Sequence, residues 1–167
     1  MECSIARAVD AVCDPWSLLV LRHAFLGARR FGDLQSALDI PPTTLARRLD
    51  ELTRKGLVSR RRYDERPPRD EYHLTPKGLD VLPVLISLAV WGSRWLAPSG
   101  PPLELVDFAT GRKLDPVLVD RETGEVLEPG GVALALGRGA SPRLQGLVRA
   151  TGKVRLPLGA RAEGSPS

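Results

Sequence analysis

Between Thr43 and Asp70 lie nine basic residues, Arg47, Arg48, Arg54, Lys55, Arg60, Arg61, Arg62, Arg66 and Arg69, against five acids, Asp50, Glu51, Asp64, Glu65 and Asp70. That excess of four positive charges equals the formal net charge of the entire 167-residue chain. Guanidinium groups concentrated in this way suit phosphate oxygens and, bidentately, guanine edges. Thr43 and Thr44 precede the first arginines and can reach a phosphate or a thymine methyl. Arg47 or Arg48 is therefore expected to contact bases, with Thr43, Thr44 and Arg54 beside them. Arg66 and Arg69 are expected to meet phosphate or the minor groove. Arg29 and Arg30, just before Phe31, are further candidates for a phosphate near a helix start. The competing reading is a solvated charged surface with local ion pairs.

Other chemistry is poorly supported. His23 and His73 are the only histidines, and no motif pairs either with a carboxylate. Ser36, Ser59 and Ser87 lack a nucleophile-elbow context, and Gly137-Arg138-Gly139-Ala140 lacks the strand-to-helix setting of a phosphate loop. The chain is read as a non-enzyme without cofactor or metal. Cys3 and Cys13 are too few for a disulfide scaffold. Ten helical residues would hold them about 15 Å apart, beyond disulfide reach, so both are read as small buried side chains. With 43% hydrophobic residues the chain is globular. No leader pattern opens it, and its longest apolar run, Val81 to Val90, falls short of the roughly 20 residues of a membrane span. These features predict a cytoplasmic protein.

The elements that must position the basic stretch follow from hydrophobic spacing. Ile5, Val9 and Val12 recur helically, and Pro15 marks a boundary beyond which Trp16, Leu19, Val20 and Phe25 turn inward, up to Gly27. Phe31, Leu34 and Leu38 form a short helix, and Asp39-Ile40-Pro41-Pro42 forces a break. A helix from about Thr44 to Lys55, capped by Thr43 or Thr44, buries Leu45, Leu49 and Leu52 and stops at Gly56. The outward face is read as Thr43, Thr44, Arg47, Arg48 and Glu51. Two helices across a tight turn make a helix-turn-helix signal. Leu57 to Tyr63 and Glu71 to Leu74 read as a strand and its return, with Asp64 to Asp70 as a polar wing tip. Thr75 and Pro76 open a long helix to about Trp95, more apolar than a small core needs and suited to a dimer seam beside the N-terminal helix.

These segments resemble the HxlR-type family of bacterial winged-helix regulators. The resemblance rests on Asp14-Pro15-Trp16-Ser17-Leu18-Leu19, Arg30-Phe31-Gly32-Asp33-Leu34 and Leu45-Ala46-Arg47-Arg48-Leu49-Asp50-Glu51-Leu52. It continues through Lys55-Gly56-Leu57-Val58, Pro67-Pro68-Arg69-Asp70-Glu71-Tyr72, Leu74-Thr75-Pro76-Lys77-Gly78, Leu82-Pro83-Val84-Leu85 and Trp91-Gly92. It implies a homodimer that binds duplex DNA, with Thr43 to Lys55 as recognition helix, Asp64 to Asp70 as wing and the terminal helices as interface. It also implies transcription regulation, as repressor or activator, in answer to small molecules or electrophiles. Cys3 matches the N-terminal cysteine that redox-responsive members use, whereas Cys13 stands where the family more often has glycine.

The expected fold is α+β: residues 1–98 form a winged helix-turn-helix domain with extra terminal helices for dimerisation, and 103–158 a small β-hairpin subdomain. Residues 159–167 read as a disordered tail. The subdomain carries Thr110-Gly111 and Thr123-Gly124 turns thirteen residues apart. It resembles the cysteine ribbon of longer family members, but with Asp120-Arg121-Glu122-Thr123-Gly124 in place of thiolates it is expected to be metal-free. Trp16, Trp91 and Trp95 can line a small-molecule effector pocket or serve as core. The expected partners are duplex DNA, as an inverted repeat, and a second copy, with no membrane. The alternative is a protein-binding module on the same helical dimer without operator recognition.

Overall fold

A computed structural model describes residues 3–65, 68–128, 131–142, 145 and 154–155. The chain divides into two compact units, Cys3–Glu104 and the residues from Leu105 onward.

The first unit contains α1 (Ser4–Val12), α2 (Pro15–Phe25), α3 (Phe31–Leu38), α4 (Pro42–Arg54), β1 (Val58–Glu65), β2 (Pro68–Leu74), α5 (Pro76–Leu79) and α6 (Leu82–Leu96). Asp14 starts α2 by accepting a hydrogen bond from the Ser17 amide, with Pro15 at the first helical position. Between α3 and α4 the chain turns at Asp39, in the left-handed region at φ 48°, while Ile40 plugs into the core. The α4 helix opens at Pro42 behind Pro41 and has no side-chain cap, so neither threonine caps it. Its end is a Schellman motif: Gly56, at φ 70°, donates to the Thr53 carbonyl and Leu57 donates to that of Leu52.

The core gathers Val20 and Leu21 from α2, Leu34 from α3, and Leu45, Leu49 and Leu52 from α4, closed by Leu57, Val58, Tyr72 and Val81. Each fully buried leucine contributes about 1.5–3 kcal/mol. Leu19, Trp16 and Phe25, expected inside, are only half-buried in the single chain.

The strands β1 and β2 pair antiparallel from Val58 opposite Leu74 to Glu65 opposite Pro68, with a bulge at Tyr63. The wing strands run further than the sequence suggested, and Arg66 and Pro67 at the tip lie outside the described residues. A third short pairing comes from the α2–α3 turn, where Arg30 bridges Glu71 and the Tyr72 amide donates to the Arg29 carbonyl.

The predicted long helix is broken. Thr75 caps α5 by accepting from the Gly78 amide, its hydroxyl donates to the Gly56 carbonyl, and the chain turns at Asp80–Val81 before α6. A Cβ at Gly78 would lie 2.1 Å from the Leu57 carbonyl oxygen, so only glycine lets α5 lie this close to the start of β1. No residue of α6 is buried, and Leu82, Val84, Leu88, Trp91, Trp95 and Leu96 are exposed, as are Ile5 and Val9 of α1. Taken together, Pro76–Leu96 spans 21 residues and is long and apolar enough to cross a membrane by length and composition, a property that the shorter Val81–Val90 run concealed.

In the second unit the two turns repeat almost atom for atom. Asp107 accepts from the amide and hydroxyl of Thr110, and its own amide donates to the Arg112 carbonyl. Asp120 accepts from the amides of Glu122 and Thr123 and donates to the Glu125 carbonyl. Gly111 and Gly124 take φ 69° and 72°. The flanks meet only as single bridges, Val106 with Lys113 and Val119 with Val126, so the two expected hairpins are turns with minimal ladders. A two-residue pair joins β3 (Ala133–Leu134) to β4 (Val154–Arg155). Most of Leu144 to Val148, Leu156 to Leu158 and the tail from Ala160 lie outside the described residues.

Candidate nucleic-acid interface

The exposed stripe of α4 consists of Thr43, Ala46, Arg47, Asp50 and Arg54, opposite the three buried leucines. A helix advances about 100° per residue. Arg47 and Arg54 therefore point almost directly away from Leu45, Leu49 and Leu52, and Thr44 falls to the half-buried flank. Ala46 and Asp50 were missing from the sequence reading; the same arithmetic turns Asp50 outward, whereas Ala46 lies on a flank that the fold leaves exposed. Ala46 can meet a thymine methyl, and Asp50 can accept from a cytosine amino group.

Arg48 and Glu51, expected on that face, lie elsewhere. The Arg48 guanidinium donates to Asp14 Oδ2 at 2.9 Å and to Glu51 Oε2 at 2.6 Å, and the side chain keeps only 14% of its exposure. The reason is angular: Arg48 sits about 60° from the leucine stripe, on the side that packs against α2.

The wing arginines divide in the same way. Arg60 binds Asp70 through two nitrogens, and Arg62 approaches the other oxygen of that carboxylate at 3.6 Å. These donors hold the Asp70 carboxyl below its ordinary range, Arg60 foremost. Arg30 pairs with Glu71 at 3.2 Å and lies 4.7 Å over the Tyr63 ring. Its hydrogen bond is the main cause of the lowered Glu71 pKa, and His73, 3.2 Å from the second Glu71 oxygen, adds to it. The bulge supplies Tyr63 as an extra residue of β1, placed beneath Arg30. Arg30 thus clamps the wing to the α2–α3 turn. Among the described residues Arg29, Arg47, Arg54, Arg61 and Arg69 carry no ion pair, and all five are exposed. Arg66 lies outside the described residues.

Between the wing and the helix pair opens a groove of about 600 Å³, bordered by Phe31, Ala46, Asp50, Arg60, Arg69 and Tyr72. The expected pocket at the tryptophans has a different character: Trp16 packs partly against the core, while Trp91 and Trp95 stand exposed on α6.

The candidates for other chemistry are dispersed. His73 does have a carboxylate neighbour, contrary to the sequence reading, but Glu71 is already engaged by Arg30. His23 is contacted by Arg22 at 2.6 Å, and burial, then Arg22, lowers its pKa. Cys3, at the start of α1, and Cys13, at its end, are both exposed free thiols, so the expectation of buried cysteines was wrong. Among the described residues no cluster of His, Cys, Asp and Glu could hold a metal ion.

The helix-turn-helix of α3 and α4 is what the comparison with known families finds as well. The HxlR-like helix-turn-helix family model matches residues 11–100. The chain belongs to that family. An uncharacterized HTH-type transcriptional regulator of Mycobacterium tuberculosis is 39% identical over 142 residues, covering 84% of this chain and 90% of the relative. Among solved structures, a candidate transcription factor of Pseudomonas aeruginosa is 34% identical with a TM-score of 0.64, covering 87% of this chain and 99% of the other. A second candidate transcription factor is 30% identical with a TM-score of 0.71, over 81% and 94%. These three matches extend past residue 100, so part of the appendage is shared with relatives.

Proposed function

We propose that this protein regulates transcription by binding an inverted repeat in duplex DNA as a homodimer. The observation that carries the reading is the α4 stripe, where Thr43, Arg47 and Arg54 stand free beside a braced wing. Arg47 is the base-reading candidate. Arg54, Arg69 and Arg29 reach toward phosphates on either side, and Arg66 extends the wing by sequence.

The dimer follows from α1 and α6. An apolar helix with no buried residue is costly to leave in water, and the exposed Ile5 and Val9 of α1 supply a second strip. A membrane role for Pro76–Leu96 is disfavoured by the Asp80–Val81 break and by Lys77, whose ammonium donates to the Lys55 carbonyl at the end of α4. The relatives described as transcriptional regulators support the same reading.

The test is selection of bound fragments from the source genome, with Arg47→Ala as comparison and the oligomeric state measured by sedimentation. A two-fold repeat enriched by wild type and lost in the variant is the expected outcome. A folded dimer that enriches nothing would overturn DNA reading, and a monomer enriching single half-sites would overturn the dimer.

A further inference from the structure

We infer that Arg48 is a positioning residue: it does not touch DNA but fixes the recognition helix by gripping the carboxylate that starts α2. This rests on the DNA-reading function proposed above. Asp14 has two tasks, one for each oxygen. Its Oδ1 accepts from the Ser17 amide and begins α2, while its Oδ2 takes the Arg48 guanidinium from α4. Glu51, one turn along α4, holds the other arm of the same fork. The Arg48 Nε is fully buried and has no partner among the described residues. Burial of that nitrogen and the two carboxylates together hold the side chain away from solvent. Its geometry is that of a brace set by packing.

A second brace lies at the C-terminal end of α4. The Lys55 ammonium donates to the carbonyls of Asp10 at 2.7 Å and Ala11 at 3.3 Å, the last turn of α1. The joint from Asp10 to Asp14 is therefore held from the middle and the end of the recognition helix. Lys55 thus ties the end of α1, and Arg48 the start of α2, to α4 by charge-assisted hydrogen bonds.

The decisive variant is Asp14→Asn, because asparagine still caps α2 but loses the charge that holds Arg48. Titrations with a duplex selected by the wild type are run at several salt concentrations for Asp14→Asn, Arg48→Ala, the double variant and Arg47→Ala. If Arg48 positions, Asp14→Asn weakens binding about threefold to tenfold, of the order of one lost charged hydrogen bond. Arg48→Ala gives a similar loss, the double variant adds little, and the salt slope stays that of wild type. Arg47→Ala instead relaxes the base preference at its position, as loss of a base contact should, or lowers the slope by about one if it holds a phosphate. If Asp14→Asn binds more tightly, or Arg48→Ala lowers the slope by about one, Arg48 is a DNA contact and the inference fails. Amide exchange along α4 in the DNA-free protein gives an independent reading. Faster exchange in the first two turns of α4 in Asp14→Asn supports the brace even if no duplex is bound, an outcome that would sink the function and not the brace. Unchanged exchange there overturns it.

Discussion

Leu49 and Phe108 are both large apolar side chains, yet the first is fully buried and the second fully exposed. They stand for two ways of being folded. The winged unit surrounds Leu21, Leu34, Leu45, Leu49 and Leu52 with three helices and a sheet, so its charged clamps sit on a structure that burial already holds. The appendage has no buried residue among those described from Leu105 onward. Its shape is carried by two Asp-x-x-Thr-Gly turns, each closed by a carboxylate accepting backbone N–H groups. One unit has redundancy and the other has none. A perturbation of the core should therefore act on the whole of the first unit, whereas in the second each turn should fail alone.

Leu49→Ala tests the first half of that contrast with the largest effect. Removing a fully buried leucine side chain costs about 2–5 kcal/mol. All three tryptophans, Trp16, Trp91 and Trp95, lie in the winged unit, so a denaturant titration followed by tryptophan fluorescence reads that unit alone. The midpoint should fall sharply while amide protection at Thr110 and Thr123 stays at the wild-type level. Joint loss of both signals would show that the appendage depends on the winged core.

Gly78→Ala should have the next effect. The added methyl meets the Leu57 backbone oxygen at 2.1 Å, and a backbone oxygen cannot rotate away as a side chain can. Moving α5 off β1 costs about 1–3 kcal/mol and loosens the Thr75 bonds to Gly56 and Leu57. A melting temperature equal to wild type would mean that α5 is not held against the strand.

The contrast also explains what the sequence revealed. Leucines at helical spacing, proline at helix starts and glycine at helix ends are short-range signals, and with them α2, α3, α4 and the wing were legible. Three things were not. The break at Asp80–Val81 has no proline or glycine at the turn itself, so the apolar pattern of Leu79 to Trp95 read straight through it. The partition of arginines into free and engaged depends on contacts between distant elements, such as Arg48 with Asp14 or Arg30 with Glu71. The sequence reading put Arg47 and Arg48 on one face; helical angle can separate them, but it cannot name Asp14 as the partner of Arg48. The exposure of Cys3 and Cys13 followed from their places at the two ends of α1, outside the face that packs, and residue type pointed the other way.

Gly124→Ala sharpens the other half. At φ 72° an alanine costs about 1–2 kcal/mol, and with no core to share the strain the cost should remain in one turn. Protection at Glu122 and Thr123 should fall, while the first turn, thirteen residues away, and the tryptophan midpoint are unchanged. Loss at both turns would reveal a cooperative appendage.

The smallest effect is expected from acid, and it separates the units most directly. The carboxyls of Asp107 and Asp120 are held below their ordinary value, chiefly by the hydroxyl and amide of Thr110 in one case and the amides of Thr123 and Glu122 in the other. Asp70 and Glu71 of the wing are lowered too, by Arg60 and Arg30. For a lowered carboxylate the stabilisation is complete above the unfolded value, about 4, and is lost as the pH falls through the folded one. Both units should therefore be flat from neutrality to about pH 5, and adding a metal chelator there should change neither, because the turns are closed by hydrogen bonds to protein. Below about pH 4 their paths should part. Protonated Asp107 and Asp120 no longer accept as carboxylates, and the backbone bonds that remain across those turns are not backed by any buried side chain, so protection at Thr110 and Thr123, corrected for intrinsic exchange, should decline first. The wing loses its clamps over the same interval but keeps Val58 and Tyr72 in the core, so its strands should outlast the turns. Simultaneous loss in wing and turns would mean that the buried residues lend the wing no more support than the appendage has.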